Sequence, residues 1–247
     1  MKKAQAPKGK AGSNAEHIAE FEKRAGISFK DSGLLETAFT HRSYLNESRI
    51  REGRKNEHNE RMEFLGDAVL ELIVTDHLYR EFPAANEGQL TSYRSALVNA
   101  VMLGGIADEL GMNECLLLSK GEQKDTGRAR SNILANTFEA VVGALYLDQG
   151  IEAASGFIAR YVLPKMSEVI ATGSFRDAKS EFQELSQASR GITPLYETVS
   201  AEGPDHDKKF VVSVSVGTKV IATGEGKSKQ EAEQDAAKKA LANGLVV

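Results

Sequence analysis

Acids punctuate one short stretch, NERMEFLGDAVLELIVTDHLY, residues 59–79. Glu60, Glu63, Asp67 and Glu71 recur at intervals of three and four. On an α-helix each residue advances by about 100°, so Glu63 and Asp67 project side by side, flanked by Glu60 and Glu71. Like charges at that spacing repel by about a few tenths of a kcal/mol, and only Arg61 offers the opposite sign nearby. Spacing alone leaves two readings open. One is an ordinary acidic helix start, where the dipole tolerates carboxylates. The other is a set of oxygens that holds a hard cation over a phosphodiester.

A second stretch weighs toward the cation. In ILANTFEAVVGALYLD, Asn136 and Glu139 are three apart and share a face, while Phe138, Val141, Val142 and Leu145 cover the rest. A carboxylate on so apolar a helix wants a partner. Packed together, the two helices can bring Glu63, Asp67, Asn136 and Glu139 to one place. Three carboxylates and an amide oxygen form an oxygen-only set suited to Mg²⁺. Gly66, in mid-helix, costs roughly 1 kcal/mol relative to alanine and implies close approach by another backbone. The other side of its helix carries Phe64, Leu65, Ala68, Val69, Leu72 and Ile73.

The elements that must position these groups are mostly helical. From about Glu16 to Met166, HIAEFEKRAG, LLETAFTHRSYLNE, YRSALVNAVMLGGIADELG and ILANTFEAVVGALYLDQG each carry apolar residues at helical spacing. Gly26, Gly111 and Gly150 stand where helices stop. A last helix spans about 151–170, with Phe157, Ile158, Tyr161 and Val162 as its buried face and Pro164 as a kink or early end.

The small polar run ATGSFRDA then marks a linker. Beyond it DAKSEFQELSQAS reads as a helix, and TPLYETVSAE, KKFVVSVSVG and KVIATGEG read as strands. In the second strand Phe210, Val212, Val214 and Val216 alternate with Val211, Ser213 and Ser215. SKQEAEQDAAKKALANG closes as a helix, capped by Ser228 and ended by Gly244. The fold class is therefore mainly α: an all-helical domain, then a small α+β domain of order α-β-β-β-α with a three-stranded antiparallel sheet and both helices on one face. Expected bounds are a flexible basic tail at 1–15, the helical domain at 16–170, a linker at 171–176 and the second domain at 177–246.

Composition narrows the setting. The chain has 247 residues, 41% of them hydrophobic, and no apolar run long enough to span a membrane. Four lysines in the first fifteen residues precede no apolar segment, so no secretory signal is expected. A single cysteine, Cys115, excludes an internal disulfide framework and fits a reducing cytoplasm. Net charge is −4, which argues against wholesale coating of nucleic acid but permits local basic patches.

Three segments carry a family resemblance. NERMEFLGDAVL closely resembles the signature of the ribonuclease III family. LLLSKGEQKDTGRARSNILANTFEAVVGALYLDQG and FTHRSYLNE resemble two further segments of it, and the last 70 residues look like a double-stranded-RNA-binding domain. The resemblance implies an endonuclease domain that cuts double-stranded RNA with Mg²⁺, for which Mn²⁺ can substitute. It implies Glu63, Asp67 and Glu139 as catalytic metal-site residues, with Asp67 and Glu139 the two most critical. It implies Glu60 and Glu87 as accessory acids, Glu87 otherwise being a surface residue. Asn136 falls where many members have aspartate, which keeps an oxygen and gives up a charge. Phe64, otherwise helix core, is implied as a contact in a two-fold dimer that cuts both strands.

For the second domain, A-form RNA is read by shape, phosphates and 2′-hydroxyls. Ser180, Gln183, Glu184 and Gln187 share a helix face and resemble the module's minor-groove contacts. Pro204 and His206 lie in the loop that supplies its second contact. Lys227 and Lys229 bracket a helix start that favours phosphate. From Asp177 onward there are nine Lys/Arg and eleven Asp/Glu, so binding rests on a few lysines. LSKGEQKDTGRARSN reads as a flexible exposed loop, or as an RNA-backbone contact. The resemblance further implies 5′-phosphate and 3′-hydroxyl ends with a short 3′ overhang, from precursors of ribosomal RNA and some messenger RNAs. The alternative is a non-catalytic duplex-RNA binder with a crippled metal site, favoured only by Asn136.

Overall fold

The structure is a computed structural model of the chain and describes residues 14–47, 57–173, 178–204 and 208–243. Residues 1–13 of the expected tail, 174–176 of the expected linker, His206 and Gly244 lie outside the described residues. The chain divides into two compact units, Met1–Phe175 and Arg176–Val247.

In the first unit the described elements are α1 (Asn14–Ala25), α2 (Ser32–Ala38), α3 (Arg42–Glu47), α4 (Glu60–Glu81), α5 (Glu87–Leu97), α6 (Ala100–Glu109), α7 (Arg128–Gln149), α8 (Ile151–Tyr161) and α9 (Met166–Thr172). Short 3₁₀ turns occupy Met112–Cys115, Glu122–Lys124 and Leu163–Lys165. Two of the expected helices are each broken in two. LLETAFTHRSYLNE parts at Thr40, which forms a parallel bridge with Leu117. Leu117 N–H donates to Phe39 O at 2.9 Å and His41 N–H donates to Leu117 O at 3.1 Å. A partner 77 residues away thus pulls the chain out of the helix, which local periodicity does not reveal.

YRSALVNAVMLGGIADELG parts at Asn99. Its Oδ1 accepts from the N–H groups of Val101 and Met102, and its Nδ2 donates to Ser95 O and Ala96 O. One side chain thereby ends α5 and starts α6. Pro164 ends α8 early, as expected, by seeding the 3₁₀ turn before α9. Gly26, Gly111 and Gly150 all take positive φ at helix stops. α1 begins at Asn14 and α9 runs to Thr172, so each intrudes slightly on an expected tail or linker.

The core of this unit forms around α4 and α7. Phe138, Val141, Val142 and Leu145 are fully buried there, together with Leu70, Val74 and Leu78. Each such side chain contributes about 1.5–3 kcal/mol of transfer free energy. The helices touch backbone to backbone. A Cβ built on Gly66 would stand 1.8 Å from Glu139 O, and one on Gly143 would stand 2.2 Å from Met62 O. The expected apolar side of α4 is only half realised. Val69 is buried and Leu65 and Ile73 are half-buried, but Phe64, Ala68 and Leu72 face outward, Phe64 at 81% exposure. Apolar spacing records where a side chain is greasy, not which neighbour covers it.

The second unit has α10 (Ala178–Arg190), β1 (Leu195–Glu202), β2 (Lys209–Val216), β3 (Lys219–Gly226) and α11 (Lys229–Ala242). The strands pair antiparallel in the order β1-β2-β3. Val214 and Val216 share one core with Ala178 and Phe182 of α10 and with Ala236, Ala237 and Ala240 of α11. Ser228 caps α11, its Oγ accepting from Glu231 N–H at 3.1 Å.

Candidate active site and nucleic-acid interface

The close α4–α7 contact decides what the acids see. Asn136 donates a side-chain hydrogen bond to the Glu63 carboxylate, which opposes the upward push of burial and of Glu60 and Asp67. The net direction for Glu63 is still up. Glu139, on the half-buried face of α7, is pushed up to about 8. Burial is the largest cause, followed by repulsion from Asp67, Glu63 and Glu71. Carboxylates from two helices thus crowd one region and raise the proton affinity of Glu63 and Glu139.

The side chains do not close on a common point. Among the described residues no three of His, Cys, Asp and Glu stand close enough to hold a metal as placed. The donors nevertheless suit a hard divalent cation in chemistry: all are oxygens, and no lysine or arginine is among the causes acting on Glu63 or Glu139.

Beside these acids lies a cavity of about 260 Å³ lined by His41, Arg42, Asn59, Glu60, Glu63 and Asn136. The Thr40–Leu117 bridge delivers His41 and Arg42 to it, and Asn59 N–H donates to Thr40 O at 2.9 Å. Arg42 pairs with Glu60 at 3.3 Å across an exposed gap. Burial, the largest cause, holds the His41 imidazole below its ordinary pKa despite Glu122 and Glu60. Of these lining residues, the site expected from the sequence includes Glu60, Glu63 and Asn136 and omits Asn59. The signal for Asn59 was its place directly before the first acid of the stripe.

Glu87 opens α5 at an exposed position, where Thr91 Oγ1 donates to it at 3.2 Å. It does not line the cavity. The 119–127 loop is exposed but not loose. Arg130 donates to Glu122 O at 2.9 Å and Asp125 O at 3.2 Å, and Gln123 Nε2 donates to Leu118 O.

In the second unit Ser180, Gln183, Glu184 and Gln187 are all exposed on α10, away from buried Phe182 and Ser186. Gln187 Nε2 donates to Thr193 Oγ1 at 3.1 Å. Lys227 and Lys229 are exposed on either side of the Ser228 cap, and Pro204 is exposed at the end of the described loop.

Both units have counterparts of known family. Residues 31–166 match the family model described as ribonuclease-III-like, and residues 178–243 match the double-stranded RNA binding motif. The chain is 47% identical to ribonuclease 3 of Pelotomaculum thermopropionicum, over 88% of this chain and 89% of that one. It is 47% identical to ribonuclease 3 of Bdellovibrio bacteriovorus, over 89% and 93%. The solved nuclease domain of ribonuclease III from Campylobacter jejuni, described with structural flexibility in a region involved in dimer formation, is 36% identical. It covers 59% of this chain and 95% of that one, with a TM-score of 0.53. A helical nuclease unit followed by an α-β-β-β-α RNA-binding unit is an endoribonuclease architecture. The chain belongs to the ribonuclease III family.

Proposed function

We propose that this endoribonuclease cuts double-stranded RNA in a divalent-metal-dependent reaction, leaving 5′-phosphate ends, and so processes precursor ribosomal RNA and some messenger RNAs. The observation that carries the reading is the Gly66–Gly143 approach, which sets Glu63 and Asp67 of α4 beside Asn136 and Glu139 of α7. Glu63, Asp67, Asn136 and Glu139 would hold Mg²⁺, or Mn²⁺ in its place. When bound, that ion supplies Lewis acidity toward a phosphodiester and acidifies water. Asp67 and Glu139 are the essential acids, and Glu60 and Glu87 are accessory acids nearer the substrate. Asn136 orients the Glu63 carboxylate by its hydrogen bond. Without a cation, Glu139 retains a proton at neutral pH, since its pKa is pushed to about 8.

The RNA is gripped by the second domain, assigned to 177–246 after a linker at 171–176. Ser180, Gln183, Glu184 and Gln187 meet 2′-hydroxyls in the minor groove, joined by His206, while Lys227 and Lys229 meet phosphates. The helical domain, 16–170, pairs as a two-fold homodimer through Phe64. The outward Phe64, Ala68 and Leu72 on one face of α4 support that pairing. No helix among the described residues is long and apolar enough to cross a membrane, and a cytoplasmic setting suits the reduced Cys115.

Incubation of a long RNA duplex with and without Mg²⁺ tests the reading. Metal-dependent cutting into 5′-phosphorylated products is the expected result. Binding without cutting at any Mg²⁺ or Mn²⁺ concentration would leave a duplex-RNA binder instead.

A further inference from the structure

Of Glu60, Glu63, Asp67 and Glu71, only Glu60 has a basic partner among the described residues. Its Oε1 lies 3.3 Å from Arg42 Nη1. His58 Nδ1 stands 3.8 Å from its Oε2, beyond hydrogen-bond reach. Arg42 is therefore the group that holds this carboxylate. The backbone sets up the pair. Asn59 N–H donates to Thr40 O at 2.9 Å, and His41 N–H donates to Leu117 O at 3.1 Å. The segments that carry Glu60 and Arg42 are thus joined right beside both side chains.

Glu60 touches only one end of the acid row. It stands one helical turn before Glu63, on the same side of α4. After burial, its charge is the largest cause that raises Glu63. The charges that raise Glu139 are those of Asp67, Glu63 and Glu71, and Glu60 is not among them. Glu60 lines the cavity with Arg42, Glu63 and Asn136, whereas Asp67 and Glu139 do not line it. A carboxylate in that place has two rival partners. One is the guanidinium it already meets, and the other is a cation held one turn further along.

We infer that Arg42 is a positioning residue that holds the Glu60 carboxylate out of the set formed by Glu63, Asp67, Asn136 and Glu139, and so lowers that set's affinity for a divalent cation. The inference rests on the proposed metal-dependent reading. Affinity for a hard cation rises with the charge of its ligands, so admitting Glu60 would tighten the site. Arg42 opposes that by the strength of one exposed ion pair, which is small. The restraint is therefore a graded one. It is also reciprocal: a cation that draws Glu60 loosens the Arg42 pair by the same factor.

The test is calorimetric titration of Mn²⁺ into the full-length chain without RNA, in a cycle of wild type, Arg42→Gln, Glu60→Gln and the double variant. Arg42→Gln should tighten Mn²⁺ about three-fold, the size of one exposed ion pair. Glu60→Gln alone should stay within about two-fold of wild type. The double variant should match Glu60→Gln and tighten no further. Arg42→Lys should restore the wild-type affinity, because a single Nη1–Oε1 contact asks for charge and reach, not for a planar fork. Should Arg42→Gln fail to show a folded melting transition, Arg42→Met, which keeps an aliphatic stem, replaces it with the same expectation. An Arg42 variant that binds Mn²⁺ no more tightly than wild type overturns the inference. So does a gain that persists beside Glu60→Gln, which would make Arg42 a distant repelling charge only. A wild type that binds no Mn²⁺ overturns the metal-dependent reading and this inference together. A wild type that binds it, with no coupling in the cycle, overturns the inference alone.

Discussion

The surface acids of the second unit and the crevice acids of the first respond to their surroundings in opposite directions. In the second unit, Lys209 sits 2.6 Å from Glu225 and Lys239 sits 2.8 Å from Asp235. Those hydrogen-bonded lysines hold both carboxyls below their ordinary range. In the first unit, burial and neighbouring carboxylates drive Glu63 and Glu139 above theirs. Both units pair acids with cations on their surfaces, while the half-buried crevice of the nuclease unit gathers acids that repel one another. Acids perturbed in this way are more frequent at functional sites than elsewhere.

The sharpest way to break this contrast is Glu139→Gln. Removing the carboxyl should lower cutting of an RNA duplex about 10³-fold or more, since a bound metal supplies several kcal/mol. Duplex affinity, measured by filter binding, should stay within about two-fold. The same variant should sharpen a pH contrast. A carboxyl whose folded pKa lies above its unfolded value contributes stability that is complete below pH 4.5 and lost as pH rises toward about 8. In chelator, the wild-type melting temperature should therefore fall between pH 5 and 8. Glu139→Gln should flatten that fall, and so should saturating Mg²⁺.

Next in size is Gly66→Ala. Its Cβ would meet Glu139 O at 1.8 Å, so α4 and α7 must separate. A loss of about 3 kcal/mol is expected in denaturant unfolding of the helical unit. The comparable surface change Ser180→Ala should be nearly silent in stability, within about 0.5 kcal/mol. Asn136→Asp tests the gathered acids from the other side. A fourth carboxylate in that set should tighten Mn²⁺ binding about five-fold in calorimetry. If affinity were unchanged, Asn136 would not face the ion. The smallest effects belong to the second unit. Lys227→Ala and Lys229→Ala should each weaken duplex binding about three- to ten-fold and lower the salt slope by about one.

Periodicity made α4, α7 and the α-β-β-β-α unit legible, because each buries a face along its own length. Gly66 signalled a backbone contact before any partner was visible, and Gly143 proved to be the other half of it. What stayed hidden depended on distant partners. The break at Thr40 comes from Leu117, and the outward turn of Phe64 and Leu72 comes from what α7 does not cover. The break at Asn99 was written in the sequence as an N-cap residue within an apolar run, yet the helical spacing on both sides masked it.

The single bridge between Thr40 and Leu117 has a consequence for how this chain can vary. Leu117 and Ser119 anchor the wall that carries His41 and Ser43, whereas Arg130 fastens the far end of the loop at Glu122 and Asp125. One residue inserted between Leu117 and Ser119 would shift the register of the wall and carry a histidine away from the crevice, though the two lie far apart along the chain.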